Sequence, residues 1–235
     1  MRSEVNSNSS SRSRVCATAW MFQGPEMAAA KAISGSCATA NRVVLVQAVA
    51  QGGAAGDRPV QYGAELRRFG HADLPAIRQT LLDVHADAYA DEMDDEFNQR
   101  FPWFIDHWGS NPGYACVIAY DDAEPVGFAY GAPAAPGREW WSEHLTEPPA
   151  DDSTFSVSEL MVRPRWRKTG TAERLHAALI ADRPEALAVL LVDPDHPKVQ
   201  ALYETWGYAL VGQRQPFPDS PNYAVMLRHL TQPVP

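Results

Sequence analysis

The sequence predicts an α/β domain with a mixed sheet, preceded by an N-terminal extension. Segments with strand and helix patterns alternate from Val60 onward, and the apolar run Leu187–Val192 is typical of a buried parallel strand. Composition also changes near residue 58, where a net charge of +3 before it gives way to −12 after it. We therefore place the domain at residues 59–235 and expect residues 1–58 to be disordered.

Two other interpretations of the N-terminal extension stay open. Val43–Ala50 resembles the end of a secretion signal, although its apolar part is short and lies far from Met1. Alternatively, the native chain starts at Met27 or at a later residue.

Composition excludes several classes of partner. The net charge of −9 lacks the broad basic field that sequence-independent nucleic-acid binding needs, and no apolar run reaches the length that spans a bilayer. The cysteines are too few and too scattered for a disulfide framework or a Cys-x-x-Cys metal site; they are Cys16, Cys37 and Cys116. We expect a cytoplasmic protein that binds neither nucleic acid nor membranes.

The first half of the domain begins with a strand at Ala64–Phe69. Asp73 is an N-cap candidate, and Pro75 lies in the first turn of the helix that it opens. A second helical stretch at about residues 94–108 should be kinked or divided by Pro102. A polar turn at residues 121–125 joins two strands into a hairpin.

The second half alternates strands and helices and shows no internal repeat. After the hairpin strands Tyr114–Tyr120 and Val126–Tyr130 of the first half, its elements are a strand at Phe155–Val162, a helix at Thr171–Asp182, a strand at Leu187–Val192, a helix at Pro197–Trp206, and strands at Tyr208–Gln213 and Tyr223–Leu227.

A basic turn with small residues lies between the strand that ends at Val162 and the next helix. Its charged residues are Arg163, Arg165, Arg167 and Lys168. Small residues admit a ligand to the backbone, and the N–H groups and dipole of a helix N-terminus favour anions. The pattern predicts a phosphate site; a solvated basic turn is the alternative.

Two segments resemble the GNAT superfamily of acyl-CoA-dependent N-acetyltransferases. Arg167, Gly170 and Ala172 match the signature Arg/Gln-x-x-Gly-x-Gly/Ala, and Leu160–Pro164 is similar to the family's fourth strand and the turn after it. A later segment resembles Ala-x-x-Leu-Tyr-x-x-x-Gly-Phe, through Val199, Leu202, Tyr203, Gly207 and Tyr208. The resemblance covers about residues 64–230 and implies a GNAT-like, mostly antiparallel mixed sheet flanked by helices.

The resemblance also implies a site for acetyl-CoA as co-substrate, with no metal. Backbone groups of Met161, Val162 and Arg163 would pair with the pantetheine amides. Backbone N–H groups would hold the pyrophosphate; they belong to Lys168, Thr169, Gly170, Thr171 and Ala172. Arg167 of the motif and His196, at a position often occupied by Asn in the family, complete the predicted cofactor site.

The resemblance further implies that Tyr203 protonates or hydrogen-bonds the leaving thiolate. An amine acceptor also needs a base, because neutralising an alkyl ammonium at pH 7 costs roughly 4.6 kcal/mol. Glu159, on the strand that would bind the cofactor, is the leading candidate; a salt bridge with an arginine such as Arg163 is the alternative. His196 and His85 are weaker candidates.

Two features bear on the acceptor. The acidic run Asp91–Glu96 either attracts a cationic amine or is a solvated face, and Trp140–Trp141 is either a lid over the substrate or a plug on the core. No nucleophile elbow, phosphate-binding P-loop or zinc motif occurs, and we expect Cys116 to be buried and inert.

Together these patterns predict transfer of an acetyl group from acetyl-CoA to a primary amine of a small molecule, by direct attack in a ternary complex. A protein lysine or N-terminal acetyltransferase and a non-catalytic acyl-CoA-binding module are the alternatives. A homodimer stays open.

Overall fold

A computed structural model describes residues 63–216 and 220–230 of the chain. The prediction that residues 1–58 are disordered lies outside these residues. The described part contains strands β1 (Glu65–Gly70), β2 (Ala115–Asp121), β3 (Glu124–Pro133), β4 (Thr154–Val162), β5 (Leu187–Val192), β6 (Ala209–Arg214) and β7 (Tyr223–His229). Its helices are α1 (Leu74–Ala88), α2 (Glu96–Gln99), α3 (Phe101–Gly109), α4 (Thr171–Ile180) and α5 (Pro197–Thr205).

The strands form one sheet in the order β1-β2-β3-β4-β5-β7-β6. All neighbouring pairs are antiparallel except β4 and β5, which confirms the predicted mostly antiparallel mixed sheet. The run Leu187–Val192 is the central strand β5, and every residue of it is buried. It is parallel to β4 on one side and antiparallel to β7 on the other.

Apolar clusters fill both faces of the sheet. One face packs against α4, through Val157, Leu160, Val162, Leu175 and Leu179. The other face packs against α1 and α3, through Leu81, Val84, Ile105, Phe128 and Met161. Burial of each such side chain contributes about 1.5–3 kcal/mol, so these clusters hold the helices against the strands.

The helix boundaries follow local chemistry. The stretch predicted at residues 94–108 is divided at Arg100, and Pro102 lies in the first turn of α3, where its missing N–H removes no helical bond. Asp73 precedes α1 as predicted, but its carboxylate accepts the backbone N–H of Gly70 (2.8 Å) and caps no N–H of α1. None of the helices in the described part is long and apolar enough to cross a membrane.

A Schellman motif ends α5. Gly207 has φ of +86°, its N–H donates to the Glu204 carbonyl (3.0 Å), and the Tyr208 N–H donates to the Tyr203 carbonyl (3.1 Å). The left-handed conformation at Gly207 reverses the chain, so that Tyr208 returns against Tyr203 and leads into β6.

We predict that Gly207→Ala lowers the free energy of unfolding by about 1–2 kcal/mol, because a Cβ strains the left-handed conformation. Urea denaturation measures the change. Gly63→Ala is the control, since a Cβ there meets no atom within 4 Å and the backbone is not left-handed. Equal losses in the two variants would contradict the assignment.

Candidate active site

β4 and β5 separate after three pairs of residues, and this opens the sheet at one edge. Only Thr154–Ser156 of β4 pair with β5, whereas β4 continues to Val162. Because the two strands are parallel, both end at this edge, where the turn into α4 and the loop into α5 also begin. The rest of β4 therefore borders a gap.

Strand alternation decides which backbone groups face the gap. The N–H of Arg163 donates to the Val126 carbonyl (2.9 Å), so Arg163 faces β3, and alternation turns Met161 the same way. The backbone N–H and C=O groups of Val162 and Leu160 face the gap instead. Of the three residues predicted to pair with pantetheine, Val162 is therefore the one whose backbone is directed to the open side.

A β-bulge in β4 sets the side on which Glu159 lies. Tyr130 pairs with Glu159 and Gly131 with Val157, which leaves Ser158 as the extra residue. The bulge reverses the alternation, so Val157 and Leu160 both point toward α4. Glu159 points to the other face, beside Tyr130 and beneath α1 and α3.

The predicted anion site has a run of free backbone donors. Among the described residues, the backbone N–H groups of residues 168–173 donate to no protein acceptor; the N–H of Arg174 is the first that bonds within the α4 ladder, to the Gly170 carbonyl (3.1 Å). Lys168 (φ +64°) and Gly170 (φ +80°) are left-handed, which turns successive N–H groups to one side. The Thr169 hydroxyl fixes this turn by donating to the Trp166 carbonyl (2.6 Å).

Arg167 connects two elements beneath this turn. Its Nε donates to the Val162 carbonyl (3.2 Å) and its Nη2 to the Ala88 carbonyl (2.9 Å). The guanidinium thus joins the end of β4 to the end of α1, directly before the free N–H groups. Arg167 was predicted to bind the cofactor; in the structure its guanidinium holds the elements beside the turn together.

The other cationic side chains at the turn differ in their contacts. Arg163 donates to the Asp87 carboxylate (3.2 Å) and to the Pro125 carbonyl (2.8 Å), so it does not form the salt bridge with Glu159 that we considered. Arg165 lies over the Trp166 ring, 5.0 Å from its centroid. Lys168 is exposed.

A pocket of about 180 Å³ lies at the turn. It brings together predicted residues from β4, the turn and α4, and Leu202 and Trp206 form its far wall; the predicted residues are Val162, Arg167, Lys168, Gly170 and Ala172. Trp166 also lines it, held by an indole N–H bond to Asp121 (3.0 Å).

Tyr203 is fully buried on α5. Its hydroxyl has no hydrogen-bond partner among the described residues. Burial raises the pKa of Tyr203 well above 10, with smaller contributions in the same direction from Tyr208 and Glu159. The phenol is therefore protonated at neutral pH and can donate a hydrogen bond.

The Glu159 carboxyl is buried, and its Oε2 has no hydrogen-bond partner within the described part of the chain. Burial raises the pKa of Glu159 well above 4.5. Burial raises the pKa values of the phenols of Tyr89, Tyr130 and Tyr203, and the charge of Glu159 contributes in the same direction. Tyr203 belongs to the apolar cluster on the α4 face, so the predicted acid and the predicted base are both buried but extend from opposite faces of the sheet.

His196 is the N-cap residue of α5, which follows β5 at the open edge. Its Nε2 lies 3.9 Å from the Asp193 carboxylate, and its backbone N–H donates to the Asp193 carbonyl (3.0 Å). His196 does not line the pocket at the turn. The His85 ring stacks on Phe101 at 4.0 Å, and burial lowers the pKa of His85 to about 4.

The remaining candidates lie elsewhere. Trp141 is buried against β5 and β7 and donates its indole N–H to Thr154 (2.9 Å), so it is a plug on the core. Asp91, Asp94 and Glu96 of the acidic run are exposed. Burial raises the pKa of Cys116 to about 12, as expected for an inert thiol. No group of metal-ligating side chains occurs in the residues that the structure describes.

Two features of the site were missed. Trp206 carries a detectable signal, because it lies three residues after Tyr203 and so shares its helix face. The bulge at Ser158 carries none, because the extra residue becomes apparent only when β4 is paired with β3.

Comparisons with known proteins bear on the family and the fold of the chain. The model of the Acetyltransferase (GNAT) family matches residues 74–208. A solved GNAT-family structure from Desulfovibrio desulfuricans is 16% identical, with a TM-score of 0.52 over 71% of this chain and 99% of that chain. The ribosomal-protein-S18-alanine N-acetyltransferase of Escherichia coli is 18% identical, with a TM-score of 0.50 over 73% of this chain and 97% of that one.

A third structure, the PaiA N-acetyltransferase of Thermoplasma acidophilum, was solved in complex with coenzyme A; it is 13% identical, with a TM-score of 0.44 over 72% of this chain and 99% of that chain. No curated protein matches the sequence. At such identities the structural likenesses show the fold alone. The family match, however, spans more than half of the chain, from the start of α1 to the residue before β6, and the chain belongs to the GNAT family of acetyltransferases.

Proposed function

We propose that this protein transfers the acetyl group of acetyl-CoA to a primary amine of a small molecule, by direct attack of the amine on the thioester in a ternary complex. The observation that carries the proposal is the run of free N–H groups at residues 168–173, beside the open edge of β4. An anion would accept hydrogen bonds from these N–H groups, and a chain with amide groups would pair with the open edge of β4. Acetyl-CoA has both parts.

The donor side follows from the backbone. The N–H groups of Lys168 to Ala172 would hold the pyrophosphate, together with the positive end of the α4 dipole. Val162 and Leu160 would pair with the pantetheine amides as a strand pairs with a sheet edge. Arg167 would hold the pyrophosphate site and the open edge of β4 in a fixed relative position, because it bridges the ends of β4 and α1.

Tyr203 would act on the leaving group. Its raised pKa keeps the O–H protonated at neutral pH, and the O–H has no described protein acceptor to compete with a sulfur atom. As the C–S bond of the thioester breaks, the electron pair goes to sulfur, and Tyr203 would donate its hydrogen bond or its proton there.

Glu159 would act on the amine. Desolvation makes its carboxylate a stronger base than an exposed one, and a bound ammonium would favour ionisation of the carboxyl. The ionised carboxylate would then take the proton that the amine must lose. The buried phenols around it exclude bulk water.

We predict that acetyl-CoA stabilises the full chain against heat. At about 100 times its dissociation constant, a ligand that binds only the folded state adds roughly 2.7 kcal/mol. Thermal unfolding with and without acetyl-CoA measures the shift, and no shift at millimolar concentration would contradict the donor site.

A matched pair of variants locates the binding. Ala172→Asp places a carboxylate at the start of α4, where it suits the helix dipole but repels a pyrophosphate, so the shift should disappear while the protein stays folded. Ala177→Asp, exposed in the last turn of the same helix and away from its N-terminus, should keep the shift.

We predict that Tyr203→Phe lowers kcat by roughly 100-fold and leaves the affinity for acetyl-CoA unchanged, because the ring remains and only the acid is lost. Thiol release from acetyl-CoA measures kcat, and the thermal shift measures binding. An unchanged kcat would remove Tyr203 from the mechanism.

We predict opposite effects of Glu159→Gln on activity and stability. Activity should fall at least tenfold, because the base is lost. The raised pKa means that the native state holds a proton that the unfolded state has released, so stability falls as pH rises from about 4.5 through the raised value. Glutamine removes this penalty, and the variant should be more stable than the wild type at pH 7.

Activity across pH and urea denaturation at pH 7 measure both effects. Glu139→Gln is the control, because Glu139 is also buried but accepts the Gly137 N–H (3.0 Å), away from Tyr203. Loss of stability in Glu159→Gln would indicate a structural carboxylate instead.

A panel of acceptors separates the alternatives. Spermidine and kanamycin represent small amines, and peptides with a free α-amino group or an internal lysine represent proteins. Thiol release with the small amines supports the proposal, whereas release only with peptides favours a protein acetyltransferase. Binding of acetyl-CoA with no release would favour a non-catalytic module.

A further inference from the structure

The proposed acid, Tyr203, has a hydroxyl with no described protein partner to orient it. Its direction therefore depends on what holds its ring. The Schellman motif at the end of α5 supplies one support, because the Tyr208 N–H bonds the Tyr203 carbonyl (3.1 Å) and the two rings meet edge to face at 5.6 Å.

A buried hydrogen bond fixes Tyr208 in turn. His176, on α4, has its Nε2 2.9 Å from the Tyr208 hydroxyl, and both side chains are buried. Burial lowers the pKa of His176 to about 3, with a smaller contribution from Arg228, so the imidazole is neutral at neutral pH. A neutral histidine and a phenol form one hydrogen bond with either nitrogen tautomer.

The same histidine contacts the wall of the pocket. The His176 ring stacks on Trp206 at 4.9 Å, and Trp206 meets the Tyr203 ring edge to face at 5.0 Å. His176 and Tyr203 are themselves edge to face at 6.0 Å. Tyr203 is thus surrounded by three rings, from α4, the end of α5 and the start of β6, and one hydrogen bond joins two of them.

We propose that the hydrogen bond between His176 and Tyr208 holds the Tyr203 ring in place and so makes both residues positioning residues of the acetyl transfer. The inference rests on the proposed function. Neither residue would touch the substrate. Because α4 also begins with the anion site, the bond joins the helix that would bind the pyrophosphate to the residue that would act on the sulfur.

Tyr208→Phe is the most direct test, because it removes one hydroxyl and keeps the ring. We expect kcat to fall about 10-fold or more, because small misplacements of a catalytic group are costly, with KM for acetyl-CoA within about twofold of the wild type. The assay is thiol release with the most active amine among spermidine, kanamycin and an α-amino peptide. A merely structural role would lower the melting temperature and leave kcat per folded molecule unchanged.

The histidine side gives a matched series. His176→Gln can still hydrogen-bond the Tyr208 hydroxyl and should retain most of kcat, whereas His176→Leu should lose as much as Tyr208→Phe. If the two residues act through one bond, the double variant His176→Leu, Tyr208→Phe should be no worse than the poorer single variant. Tyr120→Phe, which removes a phenol hydroxyl at the end of β2, is the control and should be unchanged.

A crystal structure of Tyr208→Phe gives a readout that does not depend on turnover. We expect the Tyr203 ring to be displaced or to occupy more than one position. If the wild type is active and Tyr208→Phe has an unchanged kcat and an unmoved Tyr203 ring, the inference is overturned and the proposed function is not. A wild type that releases no thiol with any acceptor overturns the proposed function, and the inference with it.

Discussion

The separation of β4 from β5 is the constraint on which the site depends. A sheet normally satisfies the backbone groups of its strands by pairing, and unpaired groups away from water are costly. Here β4 runs on for six residues after its last pair with β5, at Ser156. Because the two strands are parallel, the starts of α4 and α5 come to the same edge. One topological feature thus brings an open strand edge and the N-termini of two helices to one side of the sheet.

Burial gives the two candidate catalytic groups complementary chemistry. Tyr203 and Glu159 both have buried oxygens with no partner among the described residues, and each such group costs roughly 1–3 kcal/mol. The packed rings and apolar clusters around them hold them there. The same desolvation raises the pKa of both, which keeps the phenol a hydrogen-bond donor and makes the carboxylate a stronger base.

What could be read from the sequence was local. The start of α4 at Thr171 was predicted, and the predicted end of α5 at Trp206 lies one residue beyond the observed end at Thr205, because both boundaries depend on residues within a few positions. The partner of Arg167 was not predicted, because a basic residue in a turn looks the same whether it binds a phosphate or, as here, two carbonyls. The face toward which Glu159 points depends on the bulge at Ser158. The burial of Trp141 depends on its packing against β5. These are long-range contacts that periodicity does not encode.

The most direct test of this account is a crystal structure of the full chain with coenzyme A. The account predicts the pyrophosphate on the backbone N–H groups of Lys168 to Ala172, the pantetheine along Val162 and Leu160 in the gap, and the sulfur within hydrogen-bond reach of the Tyr203 hydroxyl. Coenzyme A bound outside the gap, or with its sulfur directed away from Tyr203, would contradict it.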